Sequence, residues 1–357
     1  MTELAQERFS LLSLFKKIPF STRVVGGLYL AVLVLGVVFG FSIATLISAS
    51  LHFFGVWAIF ALANVPSIQS GTGPNFALPI GIVNGLLAMV LVLAAGFTGI
   101  WFIIVSSVTA LVFGSLSGYL YGRLMNAVKG SEMAIAPYTG FAITAAFGLV
   151  WLAIPINHPN MVFFLGDGLR HQIPLDYFGA NFILAEFLYF EVFGLEVRTG
   201  ELLVVFVACL LMYLFFRTKA GIAISAVGRN PLFAKATGIN VDRSRVIANM
   251  MSTAIAAFGV IVYAQGFGFI QLYDFPMFMA FPAIAGILVG GASKQRANVT
   301  NVVVGTFVFQ GLIAIVLPVF SRALAGTDVA GVVNQIRMVV QNGIILYALA
   351  QMSKGGK

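Results

Sequence analysis

Charge is what this sequence most lacks. Asp, Glu, Lys and Arg together make up 9% of its 357 residues, where soluble domains carry about 25%. From Val24 to Gly122 there is no charged side chain in 99 consecutive positions. A soluble fold of this size cannot cover its surface with so few charges. An aqueous enzyme, a nucleic-acid-binding protein and a disordered tail are thereby excluded. Cysteine is nearly absent too. Cys209 is alone, so no disulfide can form within the chain and the redox compartment is not readable. The three histidines, His52, His158 and His171, show no H-E-x-x-H spacing, which argues against a membrane zinc protease. No G-x-x-x-x-G-K-[ST] phosphate loop occurs anywhere, so if ATP drives this chain, a partner holds it.

What is present is apolar. Hydrophobic residues make up 60% of the chain, Phe alone accounts for 34 positions, and mean hydropathy is +1.01. The apolar runs are long and continuous, which suits helices; barrel strands would alternate over roughly ten residues. At about 20 residues per span, the sequence predicts ten spans near 24–50, 51–65, 77–95, 98–122, 133–155, 201–217, 246–264, 277–291, 299–320 and 334–351. The expected fold is all-α: one polytopic transmembrane domain over residues 1–357. Three spans (51–65, 201–217 and 277–291) are short, and read as half-helices or as spans that extend into flanking loops. Pro66–Pro79, with Gly71, Gly73 and Pro74, cannot be regular helix and carries no charge. It reads as irregular backbone buried in the protein. The first apolar run is too long for a signal peptide and lacks a clear cleavage site, so it is expected to stay as the first helix.

Charge then orients the spans. With the N-terminus inside, inner segments hold 16 of the 20 Lys and Arg and outer segments four. This asymmetry sets topology and predicts that both termini are cytoplasmic. Residues 1–23 become a cytoplasmic N-terminal segment, 156–200 an external loop and 218–245 a basic cytoplasmic loop. The external loop is acidic, with Asp167, Asp176, Glu186, Glu191 and Glu196, and its aromatic stretch Phe178–Phe193 suits a membrane interface. Its glutamates recur every five residues and so share no single helical face.

The cytoplasmic loop carries the most specific signal. Asn230 is a good N-cap and Pro231 suits the first helical position. Residues 231–237 make about two turns, and Gly238 supplies a left-handed end. A helix this short is unstable alone in water. It either docks into a groove of another protein or rests on lipid headgroups through Lys235, Arg243 and Arg245; the residues themselves leave both open.

The pattern Gly228-x-Asn230-Pro231-x-x-Ala234-x-x-x-Gly238-Ile239-Asn240-Val241 resembles the cytoplasmic coupling loop of ABC importer permeases. The branch is the one with ribose-type and branched-chain amino-acid permeases. Gly221, Ala226-Val227-Gly228, the Gly290-Gly291-Ala292-Ser293 turn and Gly305 also fit. The resemblance covers about 215–315 well and is only topological before residue 210. It implies that Arg229, Asn230, Pro231, Phe233, Ala234, Lys235, Gly238 and Ile239 couple to an ATPase. It further implies two permease subunits, identical or paralogous, forming one pathway, and two cytosolic ATPases carrying ATP and Mg. An extracytoplasmic binding protein would deliver the solute, and the membrane would be a bacterial inner membrane. This chain would then be a transport subunit without cofactor or enzymatic activity, in contact with lipid and not with nucleic acid. Three features depart from the family pattern. Phe233 stands where alanine is usual. Lys294-Gln295-Arg296-Ala297-Asn298 replaces a Gly-rich continuation. Ser70–Phe76 lacks the aspartate of the corresponding family segment.

Neutral polar residues in apolar surroundings are the pathway candidates: Thr72, Asn75, Asn84, Gln265 and Gln310, with Phe76 able to stack on a sugar or base. They can serve a hydroxyl-rich or amide-bearing solute without trapping an ion. The same side chains can instead bond helix to helix. Tyr263, Phe267 and Phe269 are further aromatic candidates. Charge within the spans lies only near their ends, as at Glu201, Arg217 and Arg337, which favours a sugar or nucleoside over a charged solute. The competing class is an ATP-independent secondary transporter or channel with half-helices near Pro74 and Pro282. Gly114, Gly118 and Gly122 make a small-residue face for close helix packing.

Overall fold

A computed structural model describes residues 18–156, 158–163, 168–325 and 332–354. The N-terminal segment through residue 17, with Arg8, Lys16 and Lys17, lies outside the described residues, as do Asp167 and Lys357. Thirteen α-helices are described. They are α1 (Phe20–Val38), α2 (Ile43–Gln69), α3 (Leu78–Ala94), α4 (Gly99–Ala127), α5 (Glu132–Ala153), α6 (Ile183–Glu186), α7 (Thr199–Phe215), α8 (Lys219–Arg229), α9 (Pro231–Ala236), α10 (Val241–Phe267), α11 (Phe275–Val289), α12 (Val299–Ala323) and α13 (Val333–Lys354). By length and composition α1, α2, α4, α5, α10 and α12 can each cross a membrane. Helices α7 and α8 pass the same test only as a pair, bent by 76° at their break, the geometry of a broken span or of a re-entrant loop. Helices α3 and α11 are apolar but shorter.

The first two spans divide differently from the sequence expectation of 24–50 and 51–65. The chain turns at 39–42, where Gly40 has φ +88°. Ser42 then caps α2, accepting a hydrogen bond from the Thr45 N–H at 3.0 Å. Helix α2 is therefore 27 residues long and no half-helix. Uniform hydropathy hid this boundary; only the turn chemistry of Gly40 and Ser42 marks it. Helices α7 and α11, of 17 and 15 residues, remain short as expected.

Two small sheets interrupt the all-α picture, both antiparallel. β1 (Gln172–Pro174) pairs with β4 (Phe269–Gln271), with Ile173 opposite Ile270. β2 (Tyr189–Val192) and β3 (Leu195–Arg198) form a hairpin in which Glu191 faces Glu196. Its two-residue turn puts Phe193 and Gly194 at φ +52° and +76°, the backbone a two-residue hairpin loop requires.

Helix α10 is the hub, and glycine is the reason. A Cβ added at Gly114, Gly118 or Gly122 of α4 would come within 2.8–2.9 Å of a backbone Cα of α10 at Ala254, Met250 or Val246. On another side, a Cβ at Gly81 or Gly85 of α3 would come still closer, 2.3 and 2.2 Å from the carbonyl oxygens of Thr253 and Ala257. Lipid offers no hydrophobic drive between helices, so close backbone approach and dispersion hold them together. The small-residue face read from the sequence is this α4–α10 seam. Likewise Gly305 of α12 leaves room for the Gly286 carbonyl of α11.

Candidate functional site: the coupling segment and the polar break

The chain leaves α7 through a tight turn. Thr218 caps α8 by accepting from the Gly221 N–H at 3.3 Å, and Gly221 has no space for a side chain against the Phe215 carbonyl. Helix α8 ends at Asn230, which is extended (φ −152°, ψ 95°) and starts a new helix at once. Its side chain accepts from the Phe233 N–H at 3.0 Å, and Pro231 occupies the first turn. Helix α9 stops after six residues. Gly238, at φ +85°, turns the chain back, and the Ile239 N–H donates to the Ala234 carbonyl at 2.9 Å, a Schellman-type closure. Asn240 then caps α10 through the Arg243 N–H at 2.9 Å.

One face of this short helix is anchored and the other is bare. Ala234 is fully buried, whereas Leu232 is 82% and Phe233 63% exposed. Arg229, Pro231, Lys235 and Gly238 are exposed as well, and Ile239 is partly buried. The structure thus brings all eight predicted coupling residues into one capped, protruding segment.

The segment rests directly on the end of α2. A Cβ at Gly228 would lie 2.1 Å from the Gln69 carbonyl oxygen, and Gly71 sits over the Gly228 Cα. Helix α2 ends there, and residues 70–77 run as irregular backbone to α3. Gly71 and Gly73 take φ +79° and +83°. Side chains satisfy the freed backbone. Asn64 accepts from the Asn75 N–H at 3.0 Å. Asn75 accepts from the Ala77 N–H at 2.9 Å and donates to the Ser252 hydroxyl of α10 at 2.8 Å. The Thr72 hydroxyl donates to the Ser67 carbonyl at 2.8 Å. Ser252 lies eleven residues into α10, about 16 Å along its axis, so the break climbs from the coupling segment well into the bundle. Irregular backbone at such depth is tolerated only where protein or a cavity surrounds it.

Among the pathway candidates, Thr72, Asn75 and Phe76 share this break, and Phe76 packs on Phe281 of α11 with ring centroids 5.9 Å apart. The others lie elsewhere. Asn84 bonds α3 to α4 through the Ser117 hydroxyl at 3.0 Å. Gln265 donates to the Ala180 carbonyl at 2.6 Å and ties α10 to the 158–200 segment. Gln310 is buried in α12, and among the described residues neither its Nε2 nor the buried Thr306 hydroxyl one turn earlier has a hydrogen-bond partner. Tyr263, Phe267, Phe269 and Phe275 form an aromatic cluster at the C-terminal end of α10. The sequence reading named Gln310 alone, although the i, i+4 spacing that sets Thr306 on the same helical face was there to be read.

At the end opposite the coupling segment lies a cluster that the sequence reading missed. Glu201, in the first turn of α7, is fully buried. His52 Nδ1 of α2 lies 2.9 Å from its Oε2, and Arg198 Nη1 lies 3.9 Å from its Oε1. Arg198 also donates to the Gly266 carbonyl at 3.4 Å. Gly55 and Gly266 leave space for the carboxylate: a Cβ at either would fall 3.0–3.3 Å from its oxygens. A histidine in one apolar span and a glutamate opening another are the available signal, since charges at that depth must find partners. Nearby in the β2–β3 hairpin, desolvation first and then Glu196 and Glu191 raise the Tyr189 pKa above its ordinary value, against a lowering by Arg198. Among the described residues no three His, Cys, Asp or Glu side chains converge as metal ligands.

A membrane bundle with a discontinuous span, a capped helix protruding from one end and no nucleotide motif of its own defines a transporter's membrane subunit. Comparison with known proteins makes this specific. The family model for the permease component of the branched-chain amino acid transport system matches residues 46–349, and the chain belongs to that family. Over 253 residues it is 24% identical to the nucleoside ABC transporter permease protein NupC of Lactococcus lactis subsp. cremoris, which covers 68% of this chain and 78% of that protein. It is 26% identical over 233 residues to the fructose import permease protein FrcC of Rhizobium meliloti, covering 62% of this chain and 56% of that one. A solved structure described as an inward-facing metal-chelate type ABC transporter covers 92% of this chain and 99% of its own, at 15% identity and a TM-score of 0.46. The chain is therefore a multi-pass permease subunit of an ABC transporter, and ATP hydrolysis belongs to a partner.

Proposed function

We propose that this chain is the translocation subunit of a binding-protein-dependent importer for a small, neutral, polar solute, a sugar or a nucleoside. Solute class draws support from the nucleoside and fructose permeases among its relatives and from the neutral polar side chains of the break. The observation that carries the mechanism is the seat of Gly228 on Gln69 and Gly71. Helix α9 docks on a cytosolic ATPase that holds ATP and Mg, through Leu232, Phe233 and Lys235. When the ATPase closes, α9 moves, and the backbone contact at Gly228 passes that motion to the end of α2 and the break above it. The break at Thr72, Asn75 and Phe76 then changes its access from one side to the other.

Ten membrane segments with both termini cytoplasmic fit this role: α1, α2, α3, α4, α5, the bent α7–α8, α10, α11, α12 and α13. Lys129, Arg229, Arg245 and Lys294 gather at the end that carries α9, as the positive-inside rule requires. A second permease subunit completes the pathway, the external loop receives the binding protein, and the membrane is a bacterial inner membrane. The test is uptake of labelled nucleosides, pentoses and ketohexoses by cells with and without the gene. Loss of uptake for one neutral class on deletion, restored by the wild-type chain and not by Gly228→Val, is expected. Uptake of every solute in the panel unchanged by deletion would contradict the reading.

A further inference from the structure

Beside the coupling segment lies a cavity of about 660 Å³, bounded by the ends of α2 and α8, the starts of α5 and α10, and the turn after α11. Its lining is strongly basic: Lys129, Arg229, Arg245 and Lys294 against one carboxylate, Glu132. Lys129 is paired outside the cavity with Asp242, which leaves three cations facing one acid. Arg245 is the buried member. Its side chain is 9% exposed, its Nη2 is held by Glu132, and its Nε has no acceptor among the described residues. Helix α5 opens on the same cavity at Glu132 and Met133, whose N–H groups stand ahead of the first intrahelical bond and favour negative charge. Lys294 and Gln295 form another wall.

We propose that the cavity binds a phosphate-bearing anion. A multi-oxygen acceptor can bridge Arg245, Lys294, Arg229 and the α5 N-terminus at once, which a monovalent halide cannot. Bound there, it ties the coupling segment to α5 and to the turn after α11, and so restrains the very contact at Gly228 that has to move. The anion is either a soluble phosphate ester or inorganic phosphate from the cytoplasm, or the headgroup of an anionic lipid.

The experiment uses the full chain in nanodiscs and does not depend on transport, so the importer reading can fail while this one stands. In nanodiscs of phosphatidylcholine alone, inorganic phosphate is titrated and binding is read by calorimetry and phosphorus NMR. Saturable binding, weakened about tenfold by Lys294→Gln and weakened further at high salt, supports a soluble ligand. In nanodiscs containing phosphatidylglycerol, retained lipid is counted by native mass spectrometry. Retention by the wild type, lost in Lys294→Gln with no binding of free phosphate, supports a lipid headgroup. Arg245→Lys keeps a cation beside Glu132 but loses the planar fork, and weakens either ligand if the site is as described. No binding in either arm, or binding that neither variant changes, overturns the proposal.

Discussion

A methyl group at residue 228 would have no place to go. It would meet the Gln69 carbonyl oxygen at 2.1 Å, so α8 and the end of α2 must part to admit it. Gly228→Ala is expected to cost about 1–3 kcal/mol as an overpacking change, read as a lower unfolding midpoint in detergent, and to reduce ATP-driven uptake by more than that stability loss explains. Glu201 is buried for another reason, its pairing with His52 and Arg198. Glu201→Ala removes one partner of a buried pair and is expected to destabilise by about 3–5 kcal/mol. In a double-mutant cycle, His52→Ala should add little once Glu201 is gone. Additive losses would mean that the two do not interact. Gly228 is legible in the sequence because it belongs to a compact motif. The His52–Glu201 pair is not, because its members stand 149 residues apart and only the fold joins them.

Helix α9 is too short to hold itself, so its caps decide whether it forms. Asn230→Ala removes the acceptor for the Phe233 N–H and should cost about 1 kcal/mol, most of it local fraying. The expected result is weaker capture of the ATPase with an unfolding midpoint changed by only a few degrees. Gly238 has nothing within 4 Å of its would-be Cβ, so Gly238→Ala isolates backbone strain at φ +85°, about 1 kcal/mol. Gly238→Val adds a stiff branched side chain at the same strained position and should uncouple hydrolysis from uptake more fully. The caps of this element were legible residue by residue, since N-cap, proline and glycine signals act over a few positions. The break after α2 was only partly legible. Pro66 falls within α2, and irregular backbone starts only at Ser70, where Asn64 and Asn75 take over the backbone bonding across eleven residues.

Across the whole molecule, the bundle has two unlike ends. One gathers the coupling segment, the Lys129–Asp242 and Arg245–Glu132 pairs and Lys294. The other holds the acidic hairpin and the His52–Glu201 pair. Cys209, the one native cysteine, is buried, so introduced cysteines can be read without background. Lys129→Cys and Ser293→Cys should react with an impermeant thiol reagent only from the cytoplasmic side, and Glu191→Cys only from outside. Labelling of Lys129→Cys from outside would invert the topology. Hydropathy made the membrane class and nearly every helix legible. The hairpin and the β1–β4 pairing were hidden, because strands of three or four residues leave no periodic trace.

The central claim is that α9 is the seat of a separate ATPase, and purification tests it most directly. The tagged chain is extracted from its native membrane in mild detergent and everything that accompanies it is identified by mass spectrometry. The account predicts a stoichiometric ATPase, lost or much reduced with Phe233→Ala, whose side chain is 63% exposed and so makes little contribution to the fold. Recovery of this chain without any ATPase, through several detergents and under ATP-trapping conditions, would contradict it and favour a transporter that works without ATP.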